Sequence, residues 1–140
     1  GCPYKCTYCN SPNQMEIYDT QIDADYFRKK RIDLVYEELK YFKENVGVEY
    51  NYFWADTFLA VSEKEFDEFC DMYAEFKIPF WFNTRPENVT SENLKLLKGV
   101  NCYRIAFGVE CGNEEFRSQM LLRKVKNKKL IEKFTNSSIW

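Results

Sequence analysis

Short strand patterns alternate with helical patterns along the chain, and this alternation restricts the fold more than any other feature. Runs rich in β-branched and aromatic residues cover 48–54, 79–83 and 102–109. Between them, apolar residues recur at the three- and four-residue steps typical of helices. Strands joined through helices pair in parallel, because each crossover returns the chain to the same edge. The sequence therefore predicts an α/β fold with a parallel sheet and outer helices.

Helix signals locate the crossovers. The apolar stripe predicts a helix from Gln21 to Asn45 that ends at Gly47; its members are Ile32, Val35, Leu39, Phe42 and Val46. The basic run 28–31 falls within this span and is interpreted as a solvated helix face, because acidic residues surround it. The predicted order is a cysteine loop followed by α–β–α–β–α–β–α–α.

Capping residues mark where the later helices begin. Ser62 and Glu65 form an S-x-x-E capping box, which opens a helix that continues through Phe76. A short helix that ends at Gly99 follows a cap at Thr90 or Ser91. Further helices are predicted after the cap Asn113, with Phe116, Met120 and Leu121 as its apolar residues, and from about Asn127.

Composition excludes several classes of protein. The 140 residues are 45% hydrophobic and carry a net charge of only -2, so no broad basic field is left for nucleic acid or anionic lipid. No apolar run approaches the roughly 20 residues that span a bilayer. No signal peptide is recognisable, which makes a reducing cytoplasm the expected compartment.

Polar residues cluster where the predicted strands end. Asp56 and Thr57 follow the first strand, 83–88 follow the second, and 110–113 follow the third. Because the carboxyl ends of parallel strands share one edge of the sheet, we expect these residues to lie close together. That edge is the predicted functional site.

Three cysteines open the chain with the spacing C-x3-C-x2-C, and the sequence has no histidine; they are Cys2, Cys6 and Cys9. A zinc site would need a fourth ligand from the other cysteines, which are Cys70, Cys102 and Cys111. An ordinary ferredoxin cluster also uses four cysteines, whereas three on one loop suit a four-iron, four-sulfur cluster with one open iron. A disulfide or a group of buried thiols is the remaining alternative.

The segment CPYKCTYC at 2–9, with the aromatic Tyr8 before its third cysteine, resembles the signature of the radical SAM superfamily. FWADTF at 53–58, NTRPENV at 83–89 and FGVECGNEEF at 107–116 are similar to the subgroup that often carries an N-terminal cobalamin-binding domain. The resemblance covers the chain to about residue 134. It implies a barrel of six βα units, curled but not closed.

The resemblance also implies a reaction. Cys2, Cys6 and Cys9 would hold a [4Fe-4S] cluster whose open iron binds S-adenosylmethionine. One electron, from a donor such as flavodoxin or ferredoxin, would cleave S-adenosylmethionine to a 5′-deoxyadenosyl radical that abstracts hydrogen from a substrate. Cobalamin-dependent methyl transfer is the outcome that the subgroup implies, with cobalamin as a further cofactor of the full-length protein.

Positions in the resembling motifs imply roles for five further residues. Tyr8 would lie near the adenine, and Asp56 with Thr57 would contact the methionine amino group. Relatives use a Gly-Gly-Glu-like segment for that contact, where this chain has Ala55-Asp56-Thr57. Glu110 would contact ribose or methionine. Arg85 would face the carboxylate of S-adenosylmethionine or a substrate.

Each of these residues also has a structural interpretation. Asp56 is equally suited to capping a turn, and Glu110 to pairing with Arg104 or Arg85. Arg85 is also interpretable as part of a surface ion pair. The remaining cysteines are expected to be core thiols at Cys70 and Cys102 and a small packed residue at Cys111.

Both ends of the chain read as cut. A strand is expected before the cysteine loop and two more βα units after the last helix, so 1–140 is predicted to be a partial core domain truncated at both ends. Such a piece should be only marginally stable, because its strand edges are uncovered. Two rival functions follow: an iron–sulfur or zinc module without radical chemistry, and an inactive truncated product.

Overall fold

A computed structural model describes residues 1–137 as three parallel strands with helices between them. The strands are β1 (Asn51–Phe53), β2 (Phe80–Thr84) and β3 (Cys102–Phe107), and β2 lies in the middle of the sheet. This confirms the mixed α/β class and the parallel pairing. The six-unit barrel and the truncation at both ends stay predictions, and residues 138–140 of the predicted domain lie outside the described residues.

Six α-helices occur within residues 1–137. They are α1 (Ser11–Ile17), α2 (Ile32–Tyr41), α3 (Glu63–Tyr73), α4 (Ser91–Gly99), α5 (Glu114–Gln119) and α6 (Asn127–Ser137). A π-helical turn extends α1 over Tyr18–Ile22, another extends α2 over Phe42–Val46, and a 3-10 turn spans Pro86–Asn88. None of the helices in this part of the chain is both long and apolar enough to cross a membrane.

The capping predictions are confirmed. Ser62 accepts a hydrogen bond from the Glu65 backbone N–H and donates its own backbone N–H to the Glu65 carboxylate, which completes the capping box of α3. Thr90 caps α4, and the Asn113 side chain accepts from the N–H of Phe116 at the start of α5. The helix after Ser62 ends at Tyr73, three residues earlier than predicted.

The prediction of one helix from Gln21 to Asn45 is wrong. A separate helix, α1, occupies part of the predicted loop, and its π-helical turn ends at Ile22, just before Asp23, which has a left-handed backbone. The next helix begins only at Ile32, the first residue of the apolar stripe. The run 28–31 is exposed, as predicted, but it lies in an irregular segment and not on a helix.

The core lies on one side of the sheet. Side chains alternate along β2, so that Phe80 and Phe82 are fully buried while Trp81 and Asn83 point the other way. Helices α2, α3 and α4 supply much of this hydrophobic core; their buried members are Leu39, Phe66, Phe69, Cys70, Tyr73, Leu94 and Leu97. The remaining members come from the connecting segments and from β3; they are Leu59, Phe76, Ile78, Val89, Val100 and Cys102. We call the side with Phe53, Phe80 and Phe82 the packed face, and the side with Tyr52, Trp81 and Asn83 the open face.

Strand register brings the predicted site together. Phe53 of β1 pairs with Phe82 of β2, and Thr84 of β2 pairs with Phe107 of β3, so the three strands end at a common edge. The turns that follow carry the polar residues that the sequence placed there. The cysteine loop contacts the same edge, although it is far away in the sequence.

Candidate functional site

Short contacts hold the three cysteines of the N-terminal loop in a turn. The carbonyl of Cys6 accepts a hydrogen bond from the N–H of Cys9 at 3.2 Å. Ser11, the first residue of α1, donates its backbone N–H to the Cys9 sulfur at 3.4 Å. Cys2 and Cys6 are buried, whereas Cys9 is exposed. The loop therefore presents one accessible and two sheltered sulfurs.

The electrostatics of Cys2 show which groups surround it. Burial raises the pKa of the Cys2 thiol, and the neighbouring Asp56 carboxylate and the thiols of Cys6 and Cys9 raise it further. Asp56 itself is half-exposed and lies 3.8 Å from the amino nitrogen of Gly1. The β1 exit turn and the three thiols thus lie within electrostatic range of one another.

Tyr4 and Arg85 attach the cysteine loop to the end of β2. The Arg85 guanidinium lies over the Tyr4 ring, 3.8 Å from its centroid, and the Tyr4 hydroxyl donates to Asn88 Oδ1 at 2.7 Å. Arg85 Nη1 also lies 3.6 Å from the Cys6 sulfur. The predicted site residue Arg85 is therefore in direct contact with the cysteine loop.

Thr57 is buried at the same edge. Its hydroxyl lies 3.4 Å from the Thr84 hydroxyl and accepts a hydrogen bond from Asn88 Nδ2 at 3.2 Å. The side chain consequently ties the β1 exit turn to the β2 exit turn.

A chain of alternating charges crosses the exits of β2 and β3. Its members, in order, are Arg85, Glu87, Arg123 and Glu110. The Glu87 carboxylate pairs with Arg85 at 2.6 Å and with Arg123 at 3.1 Å. Arg123 Nη1 in turn donates to Glu110 Oε1 at 3.2 Å and to the Gly108 carbonyl at 2.7 Å. The Arg123 side chain is only 2% exposed, so these pairs are sheltered from solvent.

This chain of charges corrects two interpretations of the sequence. Glu110 pairs with Arg123, and not with Arg104 or Arg85. The ion pair of Arg85 is not a surface pair, because its side chain and that of Glu87 are 14% and 18% exposed. The partner of Glu110 and the burial of Arg85 both depend on how the turns pack together, which the local sequence does not determine.

Backbone geometry fixes Glu110 in this position. Glu110 has a positive φ of 68°, a conformation that few residues other than glycine adopt. A Cβ atom at Gly108 would lie 2.5 Å from Glu110 Oε1, so only glycine allows the carboxylate to fold back over the strand end.

Tyr8 joins the charged chain from the cysteine loop. Burial raises the pKa of Tyr8 to about 12, against the lowering effect of a hydrogen bond with the neighbouring Arg123 guanidinium. Arg123 therefore influences Tyr8 electrostatically while it bonds to Glu110.

Three residues of this site were missed from the sequence: Tyr4, Glu87 and Arg123. Tyr4 and Glu87 lie inside the motifs at 2–9 and 83–89. Because they are close in sequence to Cys6 and Arg85, they could have been identified as candidate site residues. Arg123 lies in the Leu-Arg-Lys segment at 122–124, which also resembles the superfamily, but nothing in the sequence indicated its partner Glu87, 36 residues away. A long-range pair of this kind becomes visible only when the fold is known.

A cleft of about 730 Å³ lies beside the cysteine loop. Its lining includes Asp56, Trp54 and Gly1 together with the segment 27–32 and part of α3. Its volume is within the range of about 300–1,000 Å³ that small-molecule sites occupy.

The donor set at the loop fits an iron–sulfur cluster. Three thiols on one loop are the ligand type that such clusters use. Within residues 1–137, no three Cys, Asp or Glu side chains converge as ligands of a single metal ion. A cubane cluster is bound at separate corners, so its thiolates do not need to converge in this way. Cys70 and Cys102 are core thiols, as predicted, and Cys111 is half-buried.

Comparison with known proteins gives one family. The sequence profile of the radical SAM superfamily matches residues 1–137, which include the cysteine loop, the three strands and the turns that follow them. The match is to the superfamily as a whole and not to a subgroup within it. No curated protein matches the chain significantly.

Proposed function

Because the chain belongs to the radical SAM superfamily, we propose that Cys2, Cys6 and Cys9 bind a [4Fe-4S] cluster with one iron open to S-adenosylmethionine. Membership implies iron–sulfur radical chemistry that depends on S-adenosylmethionine and on a reductant. The observation that carries the proposal is the set of three thiols on one loop at the carboxyl edge of the sheet. When bound, the cluster supplies the electron that cleaves S-adenosylmethionine to methionine and a 5′-deoxyadenosyl radical.

Asp56 is the proposed partner of the methionine amino group. A half-exposed carboxylate beside Cys2 and on the wall of the cleft can accept hydrogen bonds from an ammonium group. Thr57 supports this contact from within the protein, because its hydroxyl bonds tie the turn to β2. The chain thereby orients the ligand through a turn that is fixed before binding.

Tyr8 and Glu110 are proposed to bind the nucleoside part. Tyr8 is half-exposed, so one side of its ring is available to stack on adenine. The second oxygen of the Glu110 carboxylate is a suitable acceptor for a ribose hydroxyl, while Arg123 holds Oε1. Arg85 retains guanidinium N–H groups beyond those that contact Glu87 and Cys6, which supports its proposed contact with a carboxylate of S-adenosylmethionine or of a substrate.

We further propose cobalamin-dependent methyl transfer as the reaction outcome, with cobalamin bound by another part of the full-length protein. The support is the similarity of 53–58, 83–89 and 107–116 to the cobalamin-associated subgroup. Flavodoxin or ferredoxin is the proposed electron donor and the cytoplasm the proposed compartment, because a low-potential cluster needs a reducing supply.

Anaerobic reconstitution with iron and sulfide tests the cluster. The wild-type chain should bind about four irons, as a [4Fe-4S] cluster requires. S-adenosylmethionine should change the EPR spectrum of the reduced cluster, because it binds the open iron. Cys6→Ala should lose the cluster, since two loop thiols cannot hold three corners.

Cys111→Ala is the matched control, because Cys111 lies on the β3 exit turn and is the only half-buried cysteine among the described residues. It should keep the wild-type iron content. A wild-type chain without iron–sulfur absorption, or a Cys6→Ala variant with full iron content, contradicts the proposal. A cluster whose EPR spectrum ignores S-adenosylmethionine indicates an iron–sulfur module without radical chemistry.

A further inference from the structure

One guanidinium is fixed directly against a cysteine of the loop. Arg85 Nη1 lies 3.6 Å from the Cys6 sulfur, within hydrogen-bond range for sulfur. The Tyr4 ring covers one face of this guanidinium, and Glu87 Oε1 accepts from its Nε at 2.8 Å and its Nη2 at 2.6 Å. With a side chain only 14% exposed, Arg85 acts on the sulfur with little screening by water.

Glu87 is held independently of Arg85. Its second oxygen accepts from Arg123 Nη2 at 3.1 Å, and Arg123 is anchored by the Gly108 carbonyl and by Glu110. Removing the Arg85 side chain therefore leaves a carboxylate in place near the loop. Removing the Glu87 charge leaves the Arg85 cation stacked on Tyr4.

We propose that Arg85 raises the reduction potential of the cluster that Cys6 helps to bind, and that Glu87 is a positioning residue that aims Arg85 and partly offsets its charge. This inference rests on the proposed function. One-electron reduction adds a negative charge to the cluster, and an N–H donor with a positive charge stabilises the reduced form. Hydrogen bonds to ligand sulfurs are among the means by which proteins set these potentials.

Arg85 and Glu87 carry opposite charges, so removing each charge should shift the midpoint potential in opposite directions. A purely structural role would not produce opposite shifts. Arg85→Met removes the cation and its donor while keeping the length of the side chain, so the midpoint potential should fall. Glu87→Gln removes the offsetting anion, so the midpoint potential should rise. The double variant should return towards the wild-type value. Damage to the fold would move both single variants in the same direction.

The measurement is an EPR-monitored redox titration of the reconstituted 140-residue chain, with dithionite as reductant and without S-adenosylmethionine. Omitting S-adenosylmethionine separates this role from a contact between Arg85 and that ligand. We expect Arg85→Met to lower the equilibrium constant for reduction about tenfold, which corresponds to about 59 mV for one electron. Arg85→Lys keeps the positive charge but loses the planar guanidinium group, so its midpoint potential should lie between those of wild type and Arg85→Met.

A second arginine–carboxylate pair with the same sequence spacing serves as the control. Arg31 Nε donates to Asp33 Oδ1 at 3.1 Å, but the two side chains are 77% and 55% exposed. Arg31→Met and Asp33→Asn should leave the midpoint unchanged, because the pair is exposed to solvent and, among the described residues, no hydrogen bond or ion pair links it to the cysteine loop.

The outcomes separate the two proposals. A wild-type chain that binds no cluster overturns the proposed function, and this inference with it. A cluster that forms normally but has the same midpoint in Arg85→Met and Arg31→Met overturns the inference alone, as does a shift of the same sign in Arg85→Met and Glu87→Gln. If Arg85→Met does not retain a cluster, the midpoint potentials of the Glu87→Gln and Arg85→Lys variants test the inference instead. The inference requires a higher potential than wild type in Glu87→Gln and a lower one in Arg85→Lys.

Discussion

The two faces of the sheet carry similar side chains but differ in what covers them. On the packed face, Phe80 and Phe82 are fully buried under helices. On the open face, Tyr52 and Trp81 stack with ring centroids 4.0 Å apart, yet Tyr52 remains 36% exposed. Aromatic composition alone thus does not determine stability. We infer that most of the folding free energy comes from the packed face, because only there is the aromatic surface removed from water.

High pH should unfold the protein through its packed face, and this is the largest of the effects that we expect. Burial raises the pKa of the Cys70 and Cys102 thiols from 9.0 to about 12, and that of the Tyr73 hydroxyl from 10.0 to about 12. The folded state holds these protons more tightly than the unfolded state, so their stabilisation is complete below pH 9 and lost as the pH rises towards 12. Together, the free energies that correspond to these pKa shifts are comparable with the whole free energy of unfolding of a domain, about 5–15 kcal/mol.

Circular dichroism from pH 8 to pH 12, with a reductant to prevent disulfide formation, measures this transition. We expect cooperative unfolding before pH 12. Cys111→Ala should unfold at the same pH, since Cys111 lies outside the core cluster. A chain that stays fully folded at pH 12 would contradict the assignment of these three groups to the interior.

Adjacent residues of β2 allow a direct comparison of the faces. Phe82→Ala should lower the free energy of unfolding by about 3–5 kcal/mol, because it opens a cavity next to Phe58, whose ring stacks 4.3 Å from that of Phe82. Trp81→Ala should cost about 1 kcal/mol, mainly its stacking with Tyr52. Urea denaturation of both variants checks this difference. Equal losses would mean that the open face is covered in solution.

A strand at PFWFN was predictable from its aromatic residues, but the buried face was not, because both faces carry aromatic side chains. The capping boxes were also predictable, since both partners lie within one helical turn. In contrast, the sequence indicated only that Phe116 and Met120 are apolar residues of the helix after Asn113, and gave no sign of which side chains of α5 are buried. Helix α5 buries Arg117 and leaves Phe116 47% and Met120 58% exposed.

Polar contacts between the β3 exit turn, α5 and the start of α6 explain this arrangement. Arg117 donates to the carbonyls of Cys111 and Val125 and to Asn127, so the buried guanidinium holds the β3 exit turn and the start of α6 together. Arginine is rarely buried, and no local pattern indicates such a role. For the same reason the pairing of Arg123 with Glu87 was not foreseen, although the segment at 122–124 resembles the superfamily. Local rules locate elements and motifs, whereas contacts between turns depend on the assembled fold.

A matched pair of tyrosine hydroxyls gives the smallest and sharpest comparison. Each face has an asparagine that donates to a tyrosine: Asn51 Nδ2 to the Tyr73 hydroxyl at 2.8 Å on the packed face, and Asn83 Nδ2 to the Tyr52 hydroxyl at 2.6 Å on the open face. Tyr73 is fully buried and also donates to the Ile78 carbonyl at 2.8 Å. Only on the packed face does removal of the hydroxyl leave buried polar groups without partners.

Tyr73→Phe should therefore lower the free energy of unfolding by about 1–3 kcal/mol, the cost of leaving a buried polar group unsatisfied. Tyr52→Phe should change it by less than about 0.5 kcal/mol, because water replaces an exposed partner. Urea denaturation at pH 7 measures the two values under identical conditions. If Tyr52→Phe costs as much as Tyr73→Phe, the open-face bond is as well shielded as the core, and the contrast between the faces does not hold.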